Sequence, residues 1–135
     1  MEDVIRVGLI STVDREHGTA QVYYPDRDSV TGQLHLFAFR AEFDPPAVGD
    51  QVVVVHLSND TSTGVILGRF WGDADPPPSA DYQKEMAPGI SGRVQGAVYT
   101  LTAPEIILSG SAGSMSLSEL VSLRQRVERL EADDG

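Results

Sequence analysis

The side chains that could carry acid–base chemistry are a few carboxylates and three histidines, which are scattered along the chain. Asp26 and Asp28 have the spacing at which two carboxylates could act as a general acid and a general base. They lie, however, in a polar segment after a proline, which is typical of a solvated turn. His17, His35 and His56 are far apart, and we expect His35 at the surface or in an interface and His56 in a structural role. This distribution predicts no catalytic residue.

Metal and cofactor sites are not indicated either. Asp26, Asp28, Glu42 and Asp44 offer the oxygen ligands that calcium prefers, but no D-x-D-x-D-G loop contains them. The chain has no cysteine, which excludes a thiolate zinc site, a cysteine nucleophile and a disulfide framework. We assign no metal ion and no cofactor, and we predict that the protein is not an enzyme.

The 135 residues suffice for one small hydrophobic core, and their net charge is −10. This charge opposes contact with nucleic-acid phosphates and with anionic membrane surfaces, so we expect no nucleic-acid partner. The acidic residues near the N-terminus differ from the basic start of a signal peptide. No apolar stretch approaches the roughly 18 residues of a membrane span. We expect a soluble protein made in the cytoplasm.

Short apolar segments separated by turn residues occupy residues 1–72, a spacing typical of a small β-sandwich or β-barrel. Pro45 and Pro46 interrupt regular structure because proline has no N–H for a sheet ladder. Five strands within about 72 residues match a closed barrel of the OB type. The predicted strands are Ile5–Val13, Thr19–Tyr24, residues 33–38, Gln51–Leu57 and Gly64–Trp71.

Two of these strands carry distinct burial patterns. In Thr19–Tyr24 the residues Ala20, Val22 and Tyr24 alternate with more polar ones, which predicts one apolar face. The segment Val52–Val55 is β-branched and apolar on both faces, so we expect it to be the most buried strand.

A change of composition follows the predicted barrel. Residues 73–89 form a predicted linker, because Pro76–Pro78 and the surrounding polar residues favour an extended chain. Residues 90–115 are rich in Ser, Gly and Thr and offer too little apolar surface to offset the entropy of ordering them alone. The path of residues 79–98 stays open, with Tyr82–Ala87 as either a short helical turn or an irregular arm.

The segment 116–135 predicts a C-terminal helix. Ser116 followed by Glu119 fits the capping box. A 3-4-3 spacing of apolar residues then matches the a and d positions of a coiled coil. A lone helix with this narrow stripe is marginal in water, so the stripe requires a partner. The stripe consists of Leu120, Leu123, Val127 and Leu130.

Charges beside the stripe favour pairing with identical helices. With Leu120 at a, a parallel assembly places Glu119 opposite Arg124 of a neighbour and Arg126 opposite Glu131, and both pairs attract. Residues 126–131 also resemble the R-h-x-x-h-E trimerisation motif, whereas valine at a with leucine at d mildly favours dimers. Packing of this helix against the barrel is the alternative.

Several segments together resemble a known family. They are residues 7–14, 18–22, 46–54 and 64–68 in the barrel and 103–108 beyond it. In order and spacing they resemble the phage baseplate assembly protein V and tail-spike proteins, which are related to the spikes of type VI secretion and other contractile injection systems. Residues 103–108 are similar to the start of the family's intertwined β-helical stalk.

The resemblance implies a homotrimer in which three OB domains form a collar on the tail hub. Residues 90–115 of three chains would wind into a short stalk, with Ile106, Ile107 and Leu108 on the shared axis. Ile106 and Leu108 are therefore expected trimerisation contacts, and residues 116–135 form the expected trimerisation helix. Its expected contacts are Leu120, Leu123, Val127, Leu130, Glu119, Arg124, Arg126 and Glu131. The resemblance also implies hub and baseplate partners, transient contact with the target cell envelope, and a virion or injection-system particle made in the bacterial cytoplasm.

Family spikes often end in an H-x-H iron site, but no histidine of this chain lies beyond His56, so we expect no metal tip. Whether a separate protein forms the spike tip is left open by the sequence. Some relatives insert a lysozyme-like domain after the barrel, yet about 18 residues between Trp71 and Ile90 are too few for a domain. The sequence therefore predicts a structural spike or baseplate protein.

The exposed face of the barrel offers an alternative function. OB domains can stack single-stranded nucleic acid on aromatic side chains, so a binding module for such a ligand or another one is the second hypothesis. Five basic against ten acidic residues in the barrel segment disfavour nucleic acid. We expect the aromatic residues Phe37, Phe39, Phe43, Phe70 and Trp71 in the core or in a hub interface, with Phe37, Phe39 and Phe43 as the candidate hub contacts.

Overall fold

The computed structural model describes residues 4–58 and 60–134, and the protein is mainly β with one C-terminal helix. The chain divides into two compact units, Met1–Pro77 and Pro78–Gly135, which are described separately. Gly135, the last residue of the predicted helix, lies outside the described residues.

The first unit is a closed five-strand barrel, consistent with the predicted OB-type fold. Its strands are β1 (Ile5–Asp14), β2 (Thr19–Tyr24), β3 (Ser29–Val30), β4 (Leu34–Leu36), β5 (Gln51–Val55) and β6 (Val65–Arg69). The order in the sheet is β1-β5-β6-β4-β2-β3, and pairing of β1 with β2 closes the barrel. All pairs are antiparallel except β4 with β6. The short β3 at the edge of β2 was not predicted.

Alternating residues of the strands build the barrel core. Ala20, Val22 and Tyr24 are all buried, which confirms the predicted apolar face of β2. The expectation that Val52–Val55 forms the most buried strand is wrong, because only Val52 and Val54 face the interior and β2 is buried more completely. The core residues are Ile10, Ala20, Val22, Tyr24, Leu34, Val52, Val54 and Ile66.

Gly8 allows the largest core side chain to approach β1. A Cβ atom at this position would lie 2.8 Å from the ring of Tyr24 and would also collide with Val22. The absence of a side chain at Gly8 therefore lets Tyr24 pack directly against the backbone of β1.

The second unit begins with a three-stranded antiparallel sheet. Its strands are β7 (Gln83–Ala87), β8 (Ile90–Gln95) and β9 (Val98–Thr102), in the order β7-β8-β9. Gly89 and Gly96 take positive φ angles in the short turns between them. The segment 73–89, predicted as a linker, thus contains a strand, and Tyr82–Ala87 is mostly extended rather than a helical turn or an irregular arm.

A hairpin leads directly into the helix. Strands β10 (Ile107–Gly110) and β11 (Gly113–Ser116) pair antiparallel, and helix α1 (Leu117–Asp134) follows. Ser116 caps α1, since its Oγ accepts the backbone N–H of Glu119 at 3.1 Å. Among the described residues, no helix is long and apolar enough to cross a membrane.

Candidate interaction surfaces

Helix α1 presents an apolar stripe to solvent. Leu120, Leu123, Val127 and Leu130 are 44–68% exposed, and no described residue of this 18-residue helix is buried. An exposed helix of this length is only marginally stable in water, because most helical stability in proteins comes from packing an apolar face. The predicted contact residues are therefore available for a partner.

The charged residues that flank the stripe are also exposed. Glu119, Arg126 and Glu131 lie at the g and e positions that face a neighbour in a parallel assembly. Arg124 contacts Glu128 of its own helix, with 4.0 Å between Nε and Oε1. This exposed intrahelical pair is weak, so it leaves Arg124 able to turn towards another chain.

The carboxylate of Glu105 ties the hairpin to the start of α1. It accepts hydrogen bonds from the Ser118 hydroxyl at 2.6 Å and from the Ile106 N–H at 3.0 Å. Both bonds lower the pKa of Glu105, and the bond from Ser118 has the larger effect. Leu117 N–H also donates to the Ile106 carbonyl at 2.7 Å. The half-buried Ile106 therefore lies beside the start of α1, whereas the exposed Leu108 pairs with Met115 in the hairpin.

A second surface lies on the barrel and consists of every phenylalanine and the single tryptophan of the chain. These five side chains are 36–71% exposed, so the first of the two alternatives given for them, packing in the core, is wrong. The second alternative, a hub interface, stays a prediction. We name Phe37, Phe39, Phe43, Phe70 and Trp71 the aromatic surface.

Strand β6 brings the two parts of the aromatic surface together. Phe37 follows β4, which runs parallel to β6, and its N–H donates to the Ile66 carbonyl at 2.9 Å. At the far end of the same loop, the Asp50 carboxylate lies 3.8 Å from Nε of Arg69. The loop 37–50 is therefore anchored to β6 at both ends, beside the segment that carries Phe70 and Trp71.

Arg69 holds the tryptophan in place. Its guanidinium lies 5.6 Å from the centre of the Trp71 ring, within the range of a cation–π contact. Nη2 of Arg69 also donates to Asp75 at 2.9 Å, and Gly72 pairs with Asp75 through backbone hydrogen bonds. This arrangement fixes the chain just after β6 and limits the freedom of Trp71.

The partners of Asp26 and Asp28 were missed by sequence reasoning. Nη2 of Arg6 donates to both carboxylate oxygens of Asp26, at 2.8 and 2.7 Å, and the guanidinium lies 4.3 Å from the centre of the Tyr24 ring. Asp28 instead accepts the hydroxyl of Tyr23 at 2.9 Å. Asp26 and Asp28 thus have separate partners and do not form an acid–base pair.

His56 has a structural role, as expected. Its Nδ1 lies 2.8 Å from the Thr63 carbonyl, which can only accept, so Nδ1 carries the hydrogen. In the neutral ring Nε2 is then the acceptor, so the Tyr24 hydroxyl donates to it at 2.6 Å. Burial raises the pKa of Tyr24, although the charge of Arg6 opposes this shift. Both ring nitrogens of His56 are occupied, and His35 is exposed, as expected.

The groove beside Arg6 has a volume of about 540 Å³, and its described lining contains no serine, threonine, cysteine, lysine or histidine. Its two charged lining residues, Arg6 and Asp26, neutralise each other. Within residues 4–58 and 60–134, no three His, Asp or Glu side chains are grouped so that they could hold a metal ion. No protein-family model matches the chain, and no curated protein matches it significantly. A functional proposal therefore rests on the two exposed surfaces and on the sequence resemblance.

Proposed function

We propose that the protein is a non-enzymatic structural component of a contractile phage tail or a related injection system. In this role it is the trimeric central spike or baseplate protein, which seats on the tail hub and caps the tube for envelope penetration. The observation that carries the proposal is helix α1, whose apolar stripe is exposed along its whole length. Such a helix needs partners, and identical copies supply matching ones.

The residues of α1 favour parallel self-association. Burying one half-exposed leucine or valine of the stripe contributes about 1 kcal/mol, and each chain supplies four of them. Glu119 with Arg124, and Arg126 with Glu131, then pair between neighbouring chains. Arg126 and Glu131 also lie in the segment that resembles the trimerisation motif, and on this resemblance we propose three chains rather than two.

The strands before α1 support a shared stalk. Every residue of β9 and of β10 is exposed. Exposed strands with apolar residues such as Leu101 and Leu108 require another surface that buries these residues. We propose that residues 90–115 of three chains supply it to one another and form the short β-helical stalk that the family resemblance implies.

The barrel would face the tail. Phe37, Phe39 and Phe43 are the proposed hub contacts, and hub and baseplate proteins are the proposed partners, with transient contact to the target envelope. The particle would be a virion baseplate or an injection device assembled in the bacterial cytoplasm. A separate spike-tip protein completes the device if the trimer itself carries no tip.

Light scattering coupled to size-exclusion chromatography tests the trimer at micromolar concentration. A mass of three times 14.5 kDa is expected for the full chain. A version that ends before Ser116 should dissociate at higher protein concentration than the full chain. A full-length protein with the mass of one chain would contradict the trimer, and unchanged assembly of the shortened version would show that α1 does not hold it together.

The exposed aromatic surface favours one alternative, an OB-type module that stacks single-stranded nucleic acid. The acidic residues of the barrel oppose it, since phosphate binding needs a basic groove. Retention of labelled oligo(dT) by the purified protein at physiological salt would favour this module over the spike.

A further inference from the structure

The composition of the barrel core points to a partner for the aromatic surface. The core contains valine, isoleucine, leucine, alanine and Tyr24, but neither phenylalanine nor tryptophan. Aromatic side chains usually dominate cores and interfaces because each buries a large area. Here all the phenylalanines and the tryptophan are exposed, on the segments that follow β4 and β6, two strands that pair in parallel. Large exposed apolar patches mark binding surfaces.

The charges around this surface are mostly negative. Segments 37–50 and 69–75 contain two arginines and five carboxylates. Arg69 is already neutralised by Asp75, with Asp50 nearby. The exposed acidic side chains of Asp44 and Asp73 therefore outnumber Arg40. The rim thus favours a cationic partner.

We infer that the aromatic surface docks a protein surface on which arginine side chains lie among apolar ones. Guanidinium groups stack on aromatic rings and bind carboxylates with two hydrogen bonds, so arginine matches both features. The inference deepens the proposed hub contact, on which it rests for its biological setting. It adds Phe70 and Trp71 to the proposed hub contact and assigns a positive charge to the partner's surface.

Two other occupants fit the charges less well. Single-stranded nucleic acid would bring phosphates next to Asp44 and Asp73. A second copy of the chain in a two-fold contact would place the same acidic rim against itself, which is repulsive. A cationic protein surface avoids both conflicts.

Trp71 provides a direct assay because it is the single tryptophan of the chain and lies in the surface itself. The full-length protein is titrated at low salt with an acetylated, amidated peptide of three Leu-Arg repeats. A saturable shift of the tryptophan emission to shorter wavelength is expected. The same peptide with glutamate in place of arginine, and oligo(dT), should cause no shift. A comparable shift with either of these ligands would overturn the inference.

Aromatic variants separate docking from general attraction to an acidic protein. The double variant Phe39→Ala/Phe43→Ala should bind the Leu-Arg peptide about tenfold more weakly, because two stacking contacts are lost. Leu57→Ala is the control, since Leu57 is an exposed apolar residue of the barrel outside the aromatic surface. Equal affinities of these two variants would overturn the inference.

A matched pair of charge variants tests the acidic rim. Asp44→Asn/Asp73→Asn should weaken binding about threefold to fivefold at low salt, as expected for exposed ion pairs. Asp133→Asn/Asp134→Asn removes the same charge from exposed residues of α1 and should have little effect. Equal effects of the two pairs would show non-specific attraction and overturn the inference.

Light scattering on the same samples separates this inference from the proposed function. Site-dependent peptide binding by a protein with the mass of one chain would contradict the trimeric spike but leave the docking surface intact. A trimer whose Trp71 emission does not respond to the Leu-Arg peptide would leave the spike intact and contradict the docking surface.

Discussion

Replacing Asp26 with Asn removes the charge that faces the buried guanidinium of Arg6 and hardly changes the size of the side chain. The Arg6 side chain is 6% exposed, and its Nη2 donates to both oxygens of Asp26, at 2.8 and 2.7 Å. Its Nη1 is buried and has no hydrogen-bond partner in the described part of the chain. Asp26 is therefore the main compensation for the buried charge of Arg6, and the stability of the folded protein depends on it.

We expect Asp26→Asn to lower the free energy of unfolding by about 1–2 kcal/mol. Removing one partner of a fully buried ion pair costs about 3–5 kcal/mol. The Asp26 side chain is 66% exposed, however, so water screens the pair. Asn also keeps one oxygen that can accept a hydrogen bond from Arg6, and the contact with the Tyr24 ring remains.

Urea denaturation of the full-length protein, followed by tryptophan emission at one fixed protein concentration, measures this loss. Asp28→Asn is the matched control, because Asp28 lies in the same turn and Asn tolerates its positive φ of 46°. We expect the control to change stability by less than about 0.5 kcal/mol. Equal losses in the two variants, or no loss in Asp26→Asn, would refute the reasoning.

A further substitution identifies the cause of the loss. Adding Arg6→Met to Asp26→Asn replaces the unpaired cation with an apolar side chain, and this should restore part of the stability. A double variant less stable than Asp26→Asn alone would show that the packing of Arg6, rather than its unpaired charge, matters most.

Three other predictions concern α1, its hairpin and the core. Arg126→Glu should lower the assembled mass in light scattering, because it places a second carboxylate opposite Glu131 of the neighbouring chain. Adding Glu131→Arg should restore the mass. A mass unchanged by Arg126→Glu would contradict the proposed helix pairing. The pKa of Glu105 is lowered in the folded protein, so its stabilising contribution is present above the ordinary value of 4.5 and is lost as the pH falls through the folded value. Circular dichroism should therefore show a loss of helix below about pH 4.5 that is smaller in Glu105→Gln, and identical acid profiles would contradict this role. Tyr24→Phe should cost about 1–2 kcal/mol in urea denaturation, because Nε2 of His56 loses its donor, and an unchanged midpoint would show that water replaces the hydroxyl.

Local patterns in the sequence predicted much of the fold. The alternation in Thr19–Tyr24 identified its buried face, because residues two apart lie on the same side of a strand. Ser116 identified the start of α1, because a cap depends on residues within one turn. β7 was placed in a linker because Gln83–Ala87 has no strong apolar alternation and becomes a strand only by pairing with β8.

The surfaces were predicted in part. The stripe of α1 follows from helical spacing, and its exposure agrees with the need for partners. The three phenylalanines assigned to a hub interface lie on one exposed loop, but Phe70 and Trp71 are distant in sequence. They join this surface because β4 and β6 run in parallel, a pairing that no local pattern reveals.

The sequence by itself determined the strand segments, the capped helix and its apolar stripe, because each depends on the spacing of neighbouring residues. Only the tertiary structure decided that Arg6 pairs with Asp26, that Tyr24 donates to His56, and that every phenylalanine lies outside the core. The Arg6–Asp26 and Tyr24–His56 pairs join residues that are 20 and 32 positions apart in the sequence. They depend on strand register and barrel closure, which many distant contacts set together.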